Sequence, residues 1–206
     1  YAAYEKTYEQ PVRQGLRLNR RKITAEKWEQ IRPFLGEKIP WVANGYYIEN
    51  GQEELPSRHP YYFAGLYYLQ EPSAMTPASR LPIREGDYVL DLCAAPGGKA
   101  TELAGRLAGS GLLLANDLSS SRAKALLKNL ELTGAANIYV TSETPQKLAE
   151  NLPEFFDKVL IDAPCSGEGM FHKEPKMIQY WEEQPPSYYA KIQKELILLG
   201  TRMLRP

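Results

Sequence analysis

Asp162 and Cys165 have the residue types and spacing for covalent chemistry on an electron-poor ring. They stand in DAPCSGEGMF, directly after the short apolar run Lys158 to Ile161. A thiolate can add to carbon 6 of a pyrimidine when nitrogen 3 is protonated; the resulting enamine takes a methyl group at carbon 5, and beta elimination releases the thiol. A lone cysteine after a strand is more often a small buried apolar residue. Here Pro164, Ser166, Gly167 and Gly169 shape an exposed loop, so the residues alone make Cys165 the nucleophile.

A second stretch, DYVLDLCAAPGGK from Asp87 to Lys99, supplies a ligand site. Val89, Leu90 and Leu92 read as a buried strand, and Ala94, Ala95, Pro96, Gly97 and Gly98 as the tight turn after it. Beyond Lys99, the apolar residues Ala100, Leu103, Ala104 and Leu107 fall on one helical face. A glycine loop between strand and helix is where open α/β sheets hold nucleotide-like ligands. A phosphate-binding P-loop would need glycine at Cys93 and Ser or Thr at Ala100, and no G-x-G-x-x-G fingerprint is present. Asp117 lies about 20 residues past the glycines, where an acid accepts ribose hydroxyls. A ribose site without a pyrophosphate site fits S-adenosyl-L-methionine; the competing reading makes Asp117 a cap for the helix from Ser119.

The elements that must position these residues alternate in type. Leu112 to Ala115, Ile138 to Val140 and Lys158 to Ile161 read as further strands, and the helix after Ser119 shows the face Ala123, Leu126, Leu127 and Leu130 with Gly134 just past its end. Alternating strands and helices predict an α/β, doubly wound Rossmann-like sheet in which the loops carrying AAPGGK, Asn116-Asp117 and DAPCSG converge. The last helix presents Tyr189, Ile192, Leu196, Leu199 and Met203.

Upstream, the pattern predicts a small α+β amino-terminal subdomain with its connector over 1–58 and the core over 59–206. Val12 to Lys22 carries Arg13, Arg17, Arg20, Arg21 and Lys22 with no acid, and reads as a strand with one basic face, either for phosphate contact or as a charge-guarded edge. Thr24 caps a helix with Trp28 and Ile31 inward, and Asn44-Gly45 signals a two-residue hairpin. Asn50 to Pro60 connects. Pro60 to Gln70 reads as an amphipathic helix with Phe63, Leu66 and Tyr67 on its packed face, followed by a linker from Glu71 to Gly86.

Composition narrows the class without naming a partner. The chain has 206 residues, 43% of them apolar, and 25 basic residues balance 25 acidic ones, so only local clustering can indicate a partner. Cys93 and Cys165 form no CxxC, and with His59 and His172 as the two histidines they suggest neither disulfides nor zinc. A reducing cytoplasm fits, and no apolar run is long enough to span a bilayer. The chain starts at Tyr1 and stops at Pro206 after an apolar helix, as an excised piece would.

DLCAAPGGKATELA and DAPCSGEGMF, with LYYLQEPSAM upstream, closely resemble the NOL1/NOP2/Sun family of RNA 5-methylcytosine methyltransferases, especially the bacterial members that modify small-subunit (16S) ribosomal RNA. The resemblance runs from about Pro11 onward. It implies a class I methyltransferase sheet, S-adenosyl-L-methionine as cofactor, and ribosomal RNA or the small ribosomal subunit as partner, with no metal and no membrane. It implies that Cys93, Ala94, Ala95, Pro96, Gly97, Gly98 and Lys99 wrap the methionine part, that Asp117 holds the ribose, and that Asp162 lies beside cofactor and target base. An adenine-side acid would fall near Glu143 or Thr144, and the basic segment would end an RNA-binding subdomain.

In that family a cysteine matching Cys165 releases product, and a later Ser-Thr-Cys motif attacks carbon 6. The later motif is absent from this sequence, which makes Cys165 the auxiliary thiol. It also implies that carboxyl-terminal strands of a seven-stranded sheet are missing, and that these 206 residues bind cofactor without turnover. A same-fold methyltransferase with another substrate and a non-catalytic RNA-binding module remain the competing readings.

Overall fold

The computed structural model describes residues 13–49, 51, 54–171, 174 and 176–206, together with Lys6. Val12 at the head of the basic segment, Asn50 and residues 52–53 of the expected connector, and His172 lie outside the described residues.

The amino-terminal unit is built on β1 (Gln14–Leu18), α1 (Ala25–Ile31), β2 (Gly45–Ile48), α2 (Pro60–Phe63) and β3 (Tyr67–Leu69). Its antiparallel sheet has the order β2-β1-β3, so β1 is the central strand and not a charge-guarded edge. Leu16 and Leu18 pack with Trp28, Tyr46 and Tyr67 in one core. Thr24 caps α1, its hydroxyl accepting from the Lys27 amide at 3.2 Å.

Four expectations are corrected here. Asn44-Gly45 is not a two-residue turn: the chain reverses over residues 39–45, with Lys38 bridged antiparallel to Tyr46, and Gly45 opens β2 while buried Asn44 donates from Nδ2 to the Leu18 carbonyl at 2.7 Å. The aromatic run is not one helix, because α2 ends at Phe63 and the chain enters β3. Gly65 makes the switch at φ +67, where a Cβ would lie 2.2 Å from the Leu132 carbonyl oxygen. Because β3 pairs with β1, a boundary at 58/59 would cut through this unit. The expected linker is also structured, with a 3-10 turn at Ser73–Met75 and α3 (Thr76–Arg80) burying Met75 and Ala78 completely.

The core follows the predicted alternation: β4 (Tyr88–Asp91), α4 (Ala100–Arg106), β5 (Leu112–Asn116), α5 (Ser120–Thr133), β6 (Ile138–Thr141), α6 (Pro145–Asn151), β7 (Lys158–Leu160), α7 (Met177–Glu183) and α8 (Pro186–Met203). Its four strands run parallel in the order β6-β5-β4-β7. Ala78, Leu103, Leu107, Leu126 and Leu130 cover one face of the sheet, and Leu148, Leu196, Leu199 and Met203 cover the other, which makes it doubly wound. Ser119 caps α5 and Gly134 ends it at φ +71, both as predicted. Leu127, expected on the packed face, is exposed. The strand order reverses between β4 and β7, so the crevice at their carboxyl ends is the switch point where such sheets hold ligands. No helix among the described residues is long and apolar enough to cross a membrane.

Candidate active site

At that switch point lies a cleft of about 250 Å³. Asp91, Cys93, Ala94, Ala95, Pro96, Gly98, Lys99 and Asp162 form the wall on the core side. Tyr68, Leu69, Gln70 and Ala74 close the other side, so the amino-terminal unit and the segment after it complete the cleft. The approach at Gly98 is close: a Cβ there would lie 2.7 Å from Gln70 Nε2 and would push that amide aside.

Asp91 is a site residue that sequence reasoning missed. It ends β4, is fully buried, and neither carboxylate oxygen has a hydrogen-bond partner among the described residues. Burial pushes its pKa from 3.8 up to about 7; Asp162 and Asp117 add to the rise, while the Lys99 charge opposes it. An acid closing a buried apolar strand just before small residues was its signal in the sequence.

The neighbouring thiol is kept neutral. Burial, followed by the charges of Asp91, Asp117 and Asp162, pushes Cys93 up to about 11. A thiol so raised is a poor nucleophile at neutral pH, and Cys93 serves as wall. Lys99, mostly buried, reaches across the cleft to pair with the half-exposed Asp162 and joins the glycine loop to the end of β7.

Asp117 stands behind the glycine loop and is buried. Its Oδ2 accepts from the Ala95 amide at 3.3 Å and pairs with Arg122 at 3.3 Å, while Oδ1 accepts from the Ser119 amide at 3.0 Å. The ribose reading and the cap reading therefore meet in one carboxylate, since Asp117 touches both the loop and the start of α5. Next to it, buried Asn116 donates from Nδ2 to the Glu143 carbonyl at 3.0 Å and accepts the Glu143 amide at 3.0 Å. The Glu143 side chain instead pairs with Lys147 at 2.7 Å, and Thr144 caps α6.

Cys165 is exposed and reduced, on a loop pinned from both sides. Gln193 donates to the Pro164 carbonyl at 2.9 Å; Glu168 accepts from the Ser166 hydroxyl at 2.7 Å and from the Trp181 indole at 3.0 Å. Asp162 is in the cleft wall, whereas Cys165 is exposed and is not among the residues that line the cleft.

The basic segment is mostly turned to structural use. Arg17 is 2% exposed and pairs with Glu102 at 3.1 Å, so it is removed from the residues expected to meet phosphate. The cause is its place on a central strand facing the core unit. Arg20 also pairs with Glu102 at 3.1 Å but keeps its side chain 40% exposed. Lys22 donates to the carbonyls of Ala64 and Leu132, tying the two units together, and exposed Arg13 stacks over Tyr47 and pairs with Glu37. Arg21 is exposed beside Gly109.

Comparison with known proteins agrees with this architecture. Residues 78–206 match a family described as 16S rRNA methyltransferase RsmB/F, and residues 1–72 match one described as the N-terminal domain of 16S rRNA methyltransferase RsmF. Ribosomal RNA small subunit methyltransferase F of Pectobacterium atrosepticum is 36% identical over 206 residues, covering 96% of this chain and 42% of that protein. The protein of the same name from Escherichia coli O7:K1 is 36% identical and is 43% covered. The chain thus spans about two fifths of the length of these curated relatives. A crystal structure of a methyltransferase homolog protein from Pyrococcus horikoshii superposes with a TM-score of 0.80 at 29% identity, over 98% of this chain and 64% of that one. NSun6 from Pyrococcus horikoshii with SFG shares the fold at a TM-score of 0.79 and 21% identity, over 97% of this chain and 75% of that one. The resemblance carried by DLCAAPGGKATELA and DAPCSGEGMF is borne out.

Proposed function

The chain belongs to the RsmB/F family of 16S rRNA methyltransferases, and on that premise we propose that its cleft binds S-adenosyl-L-methionine for methylation of carbon 5 of a cytosine in small-subunit ribosomal RNA. The observation that carries this is Asp91, a buried carboxylate whose two oxygens have no hydrogen-bond partner among the described residues, in a cleft walled on one side by the small residues of the glycine loop. A buried acid of this kind calls for a cationic partner, and the ammonium of a methionine moiety supplies one. Gly98 and its neighbours leave room for backbone approach, and Asp117 offers its carboxylate to ribose hydroxyls by exchanging the Arg122 contact. When bound, the cofactor supplies an electrophilic methyl group.

The remaining roles fall to this chain's own groups. Asp162, held by Lys99, is the acid at the cleft wall that exchanges a proton with nitrogen 3 of the base. The target cytosine must leave its stack to reach that wall. Cys165, outside the wall on its pinned loop, fits the auxiliary thiol that aids product release. Cys93 is held neutral, so neither cysteine of these 206 residues takes the attacking role, and we assign them cofactor binding without turnover. A ribosomal RNA partner places the protein in the cytoplasm, with exposed Arg13, Arg20, Arg21 and Lys22 as its phosphate contacts.

Equilibrium dialysis with labelled S-adenosylmethionine tests the binding. Saturable uptake by the wild-type chain, reduced at least tenfold in Asp117→Ala, supports the site; equal uptake by both overturns the ribose role. Mass spectrometry of 16S rRNA incubated with chain and cofactor tests turnover, and 5-methylcytidine in it would contradict the auxiliary assignment of Cys165.

A further inference from the structure

Glu102 is 2% exposed, and its partners come from the amino-terminal unit. Arg17 and Arg20 each pair with it at 3.1 Å, and Asn44 donates to it at 3.0 Å. Arg17 also continues inward. Its Nη2 donates to the Thr101 hydroxyl at 2.6 Å, and that hydroxyl donates to the Gly98 carbonyl at 3.3 Å. Its Nη1 donates to Gln70 Oε1, while Gln70 Nε2 donates to the Ala74 carbonyl at 3.1 Å. The Gln70 amide is the group against which Gly98 packs. One guanidinium therefore holds the glycine loop from two directions, through Thr101 within the first turn of α4 and through Gln70 across the cleft.

We propose that Arg17 is a positioning residue for the cofactor loop, and that the amino-terminal unit is through it a working part of the cofactor site as well as a carrier of RNA contacts. The planar fork is what the geometry requires. Three acceptors, Glu102, Thr101 and Gln70, are met by three different nitrogens of one side chain. A lysine ammonium at the end of a flexible stem retains the charge but cannot meet three fixed acceptors together. Thr101 separates the two functions of the pair: its loss leaves Arg17 and Glu102 joined but cuts the link to the Gly98 carbonyl.

The effect on affinity rests on the cofactor reading above, so the test has a readout independent of it. Amide hydrogen exchange is followed at Gly97, Thr101 and Leu103, whose N–H groups bond to Ala94, Gly97 and Lys99, against β5 amides as internal reference. Arg17→Lys and Thr101→Val are both expected to speed exchange at these three amides at least tenfold with β5 changed less than twofold. Dialysis against S-adenosylmethionine should show at least tenfold weaker binding for both. Wild-type exchange and affinity in both variants would overturn the proposal, as would loosening of β5 in equal measure, which would mark the pair as merely structural. If the wild-type chain itself fails to bind, the cofactor reading falls, and the exchange pattern still decides the role of Arg17.

Discussion

Glu102 and Asp91 are both acids, both almost without exposure, and they flank the same glycine loop, but their surroundings are opposite. Glu102 is met by two guanidinium groups and an amide, all from a different unit of the fold. Asp91 has no hydrogen-bond partner for either oxygen among the described residues and lines the cleft. A buried carboxylate with both oxygens engaged holds structure together; one left without partners costs stability while it is charged. The first acid joins two units, and the second lines the cleft.

The largest expected effect comes from breaking the satisfied side. Arg17→Met leaves Glu102 with one guanidinium fewer and should lower stability by about 3–5 kcal/mol in urea unfolding. Arg17→Met with Glu102→Leu should recover most of that loss, because the apolar pair leaves no buried charge. Failure of the double variant to recover would mean that contacts to Thr101 and Gln70, and not the charge pair, hold the units together.

On the other side of the loop the sign reverses. The Asp91 carboxyl holds its proton up to about pH 7 in the folded chain, against an ordinary value of 3.8 for an aspartate in water. The folded state therefore binds more protons than the unfolded state between these values, and stability is full below about pH 4 and falls as pH rises toward 7. Asp91→Asn removes that dependence and should raise stability at pH 8 by about 1–2 kcal/mol, less than the full pKa shift because the amide also goes unpartnered. A variant less stable than wild type at pH 8 would show that Asp91 has a partner in solution.

Smaller effects follow at the rim. Gly98→Ala forces the Gln70 amide aside and should cost about 1–3 kcal/mol as overpacking, read by thermal unfolding. Arg21→Ala, at an exposed position, should leave stability unchanged and lower the slope of log affinity for RNA against log salt by about 1. An unchanged slope would remove Arg21 from the phosphate contacts.

The same contrast accounts for what could be read from sequence. The strands of the core, the AAPGGK and DAPCSG loops, the Ser119 cap and the Gly134 stop are local patterns, and each lies where its pattern placed it. Pro60 to Gln70 failed because an aromatic run fits helix and strand periods alike, and only the neighbour Leu132 reveals why Gly65 must turn. Arg17 read as a surface charge because its partner Thr101 is 84 positions away and the adjoining Glu102 is invisible to any local window. Asp91 lay in plain view at the end of a strand. What distinguishes it is an absence of partners, which residue types alone do not display.

The most direct measurement is calorimetric titration of the chain with S-adenosylmethionine at pH 8 and pH 6, beside Asp91→Asn. Wild-type affinity is expected to fall about tenfold per pH unit below about pH 7, as the proton on Asp91 must leave before a cation can be held, and the variant should bind weakly with no such dependence. Equal affinity at both pH values, or an Asp91→Asn chain that binds as the wild type does, would contradict the assignment of this carboxylate to the cofactor.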